Sequence, residues 1–329
     1  MTAASSVLSM PAEAGAPAHG TDKYAMLLAR CAGLPPIPTA VAHPCDASSL
    51  SGALQAASLG LIVPILVGPE ARIRQVAAEQ GLPLGDTVII DAPHSHASAA
   101  RAVEAVRNGE AELLMKGSLH TDELLHEVTG SASGLRTGRR LSHVFAMDVP
   151  SYHKPLFITD AAVNIFPTLN DKADICRNAI DLVRVLGIDR PKVAILSAVE
   201  TVTDKIPSTI DAAALCTMSR RGQITGALLD GPLAFDNAIN RGAAVTKGID
   251  SEVAGDPDIL LVPDLEAGNM LAKQLTFLAG AEAAGIVLGA RVPIILTSRA
   301  DSVRARIGSC AIAVLLAHAR RSAEAAVSV

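Results

Sequence analysis

Short aliphatic runs alternate with longer stretches of helical apolar period along almost the whole chain, and that alternation limits the folds open to it. "IVPILV", "TVII", "ELLM", "KVAIL", "GALL", "DILLV" and "PIILT" read as strands. Between them lie "SAARAVEAVRNG", "KADICRNAIDLVRVLGI", "STIDAAALCTMSRRGQI" and "GNMLAKQLTFLAGAEAAG", read as helices, several of them closed by a glycine. The strands show little polar alternation, so both of their faces need cover. Strands and helices in this order predict right-handed βαβ units and a mostly parallel sheet, an α/β fold. The chain has two Tyr, five Phe and no Trp. Its core therefore has to be built from Ala, Val, Leu and Ile.

The length, 329 residues, points to about two domains. A break falls near 130–155. There "GSASGLRTGRRLSHV" lacks apolar period and "DVPSYHKPLFITD" carries two prolines, which suits a crossing between two α/β domains. Residues 1–22 are small and polar, without a basic start or a long apolar segment, and read as a flexible tail and not as a signal peptide.

Several function classes are disfavoured. The formal charge is -5 and the pI about 6.0, so no basic excess advertises nucleic acid or an acidic membrane surface, and aromatic platforms for base stacking are scarce. No apolar run is long enough to span a bilayer. Five cysteines without a CxxC pair read as reduced thiols in a cytoplasmic protein. The glycine-rich phosphate loops, the esterase elbow and the HExxH zinc motif are absent. His94, His96, His120 and His126 are scattered and are read as surface residues, with no metal site expected.

Ligands of open parallel sheets sit beyond the carboxyl ends of the strands. The polar residues there are Lys116, Gly117 and Ser118 after "ELLM", Asp160 and Asn164 after "PLFIT", Asp264, Glu266 and Asn269 in "VPDLEAGNML", and Ser298, Arg299 and Asp301 in "TSRADS". A guanidinium at 299 offers a planar fork for phosphate, and a hydroxyl at 298 can donate to a developing oxyanion. The plainer reading of "TSRADS" is a helix cap, Ser298 or Asp301, beside a solvated arginine. Lys116 with the Gly117 and Ser118 amides can hold an anion or simply turn the chain. Arg136, Arg139 and Arg140 can steer an anionic substrate or lie on a solvated loop.

"DGPLAFDNAI", "PDILLVPDLEAGNMLAKQL", "LAGAEAAGIVLGA" and "PIILTSRADS", in this order, together with "LFITDAAVNIFPT" and "RPKVAILS", resemble the phosphate acetyl/butyryl transferase family over roughly residues 45–320. "LMKGS" and "TSRADS" look closer to its butyryl-type sequences and to the transferase half of fused hydratase–transferases.

The resemblance implies two three-layer α/β domains with mostly parallel sheets, like isocitrate/isopropylmalate dehydrogenase. The first domain would take 23–150 plus 291–329 and the second 151–290, with the active site between them and a homodimer or higher homo-oligomer. It implies reversible transfer of an acyl group, acetyl by expectation, from acyl-CoA to phosphate, giving acyl phosphate and CoA. No cofactor is needed, because coenzyme A is itself a substrate. By resemblance Arg299 holds phosphate and Ser298 bonds the reacting oxygen. Asp160, Asn164, Asn269 and Lys273 fall in the matching motifs and are expected, with Arg140 of the basic cluster, to line the substrate site. The acetyl branch carries a carboxylate seven residues past the serine, where this chain has Ala305. Asp301 is then the nearest candidate base, with Asp264 and Glu266 as others. Phosphate butyryltransferase activity, a catalytically dead CoA- or acyl phosphate-binding protein, and an NAD(P)-dependent decarboxylating dehydrogenase are the alternatives.

Overall fold

The computed structural model describes residues 23–298 and 301–327. The 1–22 segment and Arg299 lie outside them. The chain runs α1 (Lys23–Cys31), β1 (Ile37–Ala42), α2 (Ala47–Ser58), β2 (Ile62–Gly68), α3 (Glu70–Glu79), β3 (Val88–Asp91) and α4 (Ser95–Arg107). It continues through β4 (Leu113–Lys116), α5 (Thr121–Thr129), β5 (Ser142–Asp148), β6 (Leu156–Thr159), α6 (Leu169–Val185), β7 (Lys192–Leu196) and α7 (Pro207–Arg220). Then follow β8 (Leu228–Leu233), α8 (Phe235–Ile239), α9 (Arg241–Thr246), β9 (Ile259–Leu261), α10 (Leu265–Leu278), β10 (Glu282–Leu288), β11 (Ile294–Ile295) and α11 (Val303–Val327).

Among the described residues the strands form one sheet in the order β3-β2-β1-β4-β11-β10-β5-β6-β9-β7-β8. It is mixed but mostly parallel, as the alternation predicts. The antiparallel pairings are β11 with β10, β10 with β5 and β5 with β6. These three reversals in a row invert the second set of strands. The carboxyl ends of β1, β4 and β11 therefore open on one edge of the sheet, and those of β6, β9, β7 and β8 on the other.

Both faces are covered. Ile37 and Val41 of β1 and Leu113 and Met115 of β4 enter one apolar cluster. Their neighbours Ala40, Ala42 and Leu114 enter another, against α4 and α5. This is period-2 alternation with both phases apolar. The first cluster is continuous across the whole sheet, reaching Ile175 and Leu182 of α6 and Val193 of β7. Helix α11 packs against α1, α2, α6 and β10. Its run Cys310 to Ala317 is buried throughout, as a helix apolar all round must be. No described helix is long and apolar enough to cross a membrane.

The expected helix over 268–285 needs correction. Helix α10 stops at Leu278, Gly280 takes φ +64°, and Glu282–Leu288 becomes strand β10. Gly285 explains the switch. A Cβ there would lie 2.4 Å from the Leu296 carbonyl oxygen and 2.9 Å from His143 Nε2, so the two crowded strands next to β10 require glycine. The 130–155 break also contains a strand, β5, whose buried Ser142 and His143 give no apolar period.

Candidate active site

At the first edge, the ends of β1 and β4 are tied together by the backbone. Beyond β1 the chain turns through His43, whose φ of +56° is unusual for a non-glycine residue. The His43 carbonyl accepts hydrogen bonds from the Ser118 N–H at 2.9 Å and the Ser118 hydroxyl at 2.8 Å. Gly117 N–H donates to Ala42 O at 2.8 Å. A Cβ at Gly117 would sit 2.4 Å from Ala42 O and 2.5 Å from His43 O, so the turn after β4 admits only glycine here. Lys116, the last residue of β4, is buried, with Nζ 3.4 Å from the Gly117 carbonyl.

Ser298 follows β11 and is exposed. Its N–H donates to Asp301 Oδ2 at 2.6 Å and its carbonyl accepts the Asp301 N–H at 3.2 Å. Beneath this turn lies a buried arginine. Arg306 donates from Nη1 to Thr297 Oγ1 at 2.7 Å and from Nη2 to the Ser298 carbonyl at 2.8 Å. Burial raises the Asp301 pKa, while the Ser298 N–H, Arg306 and Lys116 pull it down. Burial also lowers the Arg306 pKa, against the charges of Asp301 and Asp46. Asp301 thus feels the charges of two buried cations, Lys116 and Arg306, beneath a turn on which Ser298 is exposed.

The other candidate residues lie at the second edge. Asp160 is buried, and its carboxylate accepts the N–H groups of Ala162 (2.9 Å), Val163 (3.0 Å) and Asn164 (3.2 Å) and the Asn164 side-chain amide. Burial raises its pKa and these donors oppose the rise. Asn164 Oδ1 accepts from Arg140 Nε at 2.8 Å, and Arg140 also faces Asp171 at 3.6 Å. Asp264 caps α10 by accepting the Ala267 N–H at 2.9 Å, and Asn269 donates to the Ala161 carbonyl at 3.1 Å. Gly268 lets the helix close on that loop, since a Cβ would meet Val262 Cγ2 at 2.7 Å. Glu266 and Lys273 are exposed. Arg139 pairs with Asp181. Most polar atoms of this edge are used in holding loops together. A concavity of about 670 Å³ nearby, lined by Thr137, Arg139, Asp181 and Arg320 among others, includes none of Lys116, Ser298 and Asp301.

The family model for phosphate acetyl/butaryl transferase matches residues 97–314. The chain belongs to the phosphate acetyl/butaryl transferase family. It is 66% identical over 305 residues to the phosphate acetyltransferase of Rhizobium meliloti, covering 93% of this chain and 96% of that protein. It is 41% identical over 278 residues to the phosphate butyryltransferase of Clostridium acetobutylicum, covering 84% and 92%. Among solved structures, a branched-chain phosphotransacylase from Enterococcus faecalis superposes with a TM-score of 0.75 at 30% identity, over 86% of this chain and 99% of that one.

Within this family frame, the structure brings Lys116, Gly117 and Ser118 together with one another, and Ser298 with Asp301. It places Asp160, Asn164, Arg140, Asp264 and Asn269 around the opposite strand ends. Sequence reading missed Arg306. The available signal was a basic residue inside "RARIGSCAIAVLLA", where a surface position is hard to reconcile with the apolar residues around it. Among the described residues no group of three or more His, Cys, Asp or Glu side chains is placed to hold a metal.

Proposed function

We propose that this chain is a phosphate acetyltransferase, moving an acetyl group reversibly between coenzyme A and inorganic phosphate. The observation that carries the reading is the 66% identity, along nearly the whole length, to a relative of that name. In the direction of acetyl-CoA formation, the CoA sulfur attacks the carbonyl carbon of acetyl phosphate. The new C–S bond forms, the bond between the carbonyl carbon and the bridging oxygen breaks, and phosphate leaves with that oxygen and the electron pair. Ser298 donates a hydrogen bond from its hydroxyl, keeping its proton, to the oxygen on which charge gathers. Lys116 supplies positive charge, and Arg299 grips the phosphate oxygens. Asp301 takes the thiol proton. Its burial supports this role, because a carboxylate of raised pKa is the stronger base for a thiol whose usual pKa is ~8.5. The reaction needs no prosthetic group, since CoA carries the acyl unit.

The exposed side chains of Phe166, Met270, Phe277 and Leu278 support a homo-oligomer, because apolar groups on and beside α10 gain from being covered. Light scattering at several concentrations tests that part.

The activity is tested by mixing the purified protein with phosphate and acetyl-, propionyl- or butyryl-CoA and following thiol release. The reading expects the highest kcat/KM with acetyl-CoA, and arsenate-dependent breakdown of acetyl-CoA. A tenfold preference for butyryl-CoA would reassign the acyl group. Binding of CoA without turnover of any of the three would reduce the chain to a binding protein.

A further inference from the structure

We infer that Arg306 is a positioning residue for Ser298, fixing the reactive hydroxyl from underneath without touching substrate. The inference rests on the reading of Ser298 given under the proposed function and adds to it.

Arg306 sits in the first turns of α11 and is 2% exposed. The side chain of a helical residue leans toward the helix N-terminus, and here that direction carries the guanidinium back under the end of the β11 segment. Its two terminal nitrogens are spent on two consecutive residues, Thr297 Oγ1 at 2.7 Å and the Ser298 carbonyl at 2.8 Å. Together with the Asp301 contact to the Ser298 N–H, the peptide groups on both sides of Ser298 are clamped, one by an acid and one by a guanidinium. Ser298 itself is exposed.

The surroundings are built for this side chain. Gly52 of α2 leaves room for its stem, since a Cβ at that position would fall 2.6 Å from Arg306 Cδ. Asp301 and Asp46 supply the countercharge.

As a stabilising device the arrangement is poor. Nε is buried without a hydrogen-bond partner, and a cation near a helix N-terminus opposes the helix dipole. An apolar side chain of similar volume would serve the core better. What only the guanidinium provides is a planar, two-pronged donor at fixed spacing. Lysine has one ammonium and cannot hold both oxygens with the same geometry.

The test compares wild type, Arg306→Lys, Thr297→Val and the double variant in acetyl transfer, each assayed well below its own melting temperature. Displacement of a reacting group by about 1 Å costs on the order of 100-fold in rate. Arg306→Lys is therefore expected to lose on that order in kcat, with KM for acetyl phosphate within about twofold. Thr297→Val should lose less, and the double variant no more than Arg306→Lys alone, because both remove parts of one clamp. Arg306→Ala, assayed with added free guanidinium, should regain part of kcat without change in KM. A kcat for Arg306→Lys within twofold of wild type overturns the inference, as does a loss confined to KM or to melting temperature. If wild type itself transfers no acyl group, the proposed function fails and takes this inference with it.

Discussion

The carboxylate of Asp301 and the backbone N–H of Ser298 meet at 2.6 Å, so the candidate base is also part of the turn that presents the candidate hydroxyl. Asp301→Asn separates the two roles, since the amide oxygen can still accept from Ser298. General-base catalysis contributes roughly 100-fold or more. The variant should lose at least that in kcat at neutral pH, and with it the acid limb of the rate profile. A full-rate Asn variant with an unchanged profile would restrict Asp301 to the turn.

Ser298 is exposed, so Ser298→Ala should change stability little. Loss of one oxyanion donor typically costs about 3–4 kcal/mol. Turnover should fall by roughly two to three orders of magnitude. Steady-state kinetics beside a thermal melt checks both halves of this expectation.

Gly117→Ala should damage stability and activity together. The added methyl has to displace the Ala42 and His43 carbonyl oxygens, which lie 2.4 and 2.5 Å from its ideal position. Backbone cannot swing aside as a side chain does, and overpacking of this kind costs about 1–3 kcal/mol. Urea unfolding measures the loss. The shift of Lys116 and Ser118 that follows should appear as reduced kcat.

Two groups contribute to the acid response in separate windows. His143 is fully buried beside Phe145, and its ring nitrogens make no well-formed hydrogen bond, only an approach to the Leu296 backbone. Burial holds its pKa down to about 4. The unfolded chain binds that proton at its ordinary value of ~6.5, so stability is lost as pH falls from about 6.5 toward 4. His143→Gln should flatten that slope. Asp256 differs. Burial would raise its pKa, but hydrogen bonds from Lys192 and Lys154 outweigh that and hold it at about 2. Its contribution is present above the ordinary carboxylate pKa of ~3.9 and fades as pH falls toward 2. Asp256→Asn should remove that part alone. Melting temperatures across pH 2–8 resolve the two windows.

Most of the parallel strands flanked by long helices were legible because their apolar period is strong; β1, whose run Ile37–Ala42 is broken by Pro38 and Thr39, was not. Nor were strands β5 and β10. Ser142 and His143 disguise the first, and Ala283, Ala284 and Gly285 carry a helical composition into the second. That omission mattered beyond element counting. Strand ends are sound places to look for ligands, and Lys116 and Ser298 emerged from that rule, as did Asp160 and Asp264. With β5 and β10 unread, nothing in the sequence revealed that the sheet reverses between these two groups. Asp264 and Asn269 look alike as candidate ligands until contacts are known. One closes a helix end and the other ties that helix to a neighbouring loop. Arg306 was hidden for a different reason, because a charged residue is normally assigned to the surface until a specific acceptor is found for it.

Helix α11 starts under Ser298 and then lies against both α2 and α6, so it behaves as a beam anchored on either side of the molecule's midline. Tilting such a beam to reshape the reaction centre would strain both anchorages at once. Exchanges along its buried length should therefore lower yield before they reach the loops in front of the beam, where the proposed acyl site would be shaped.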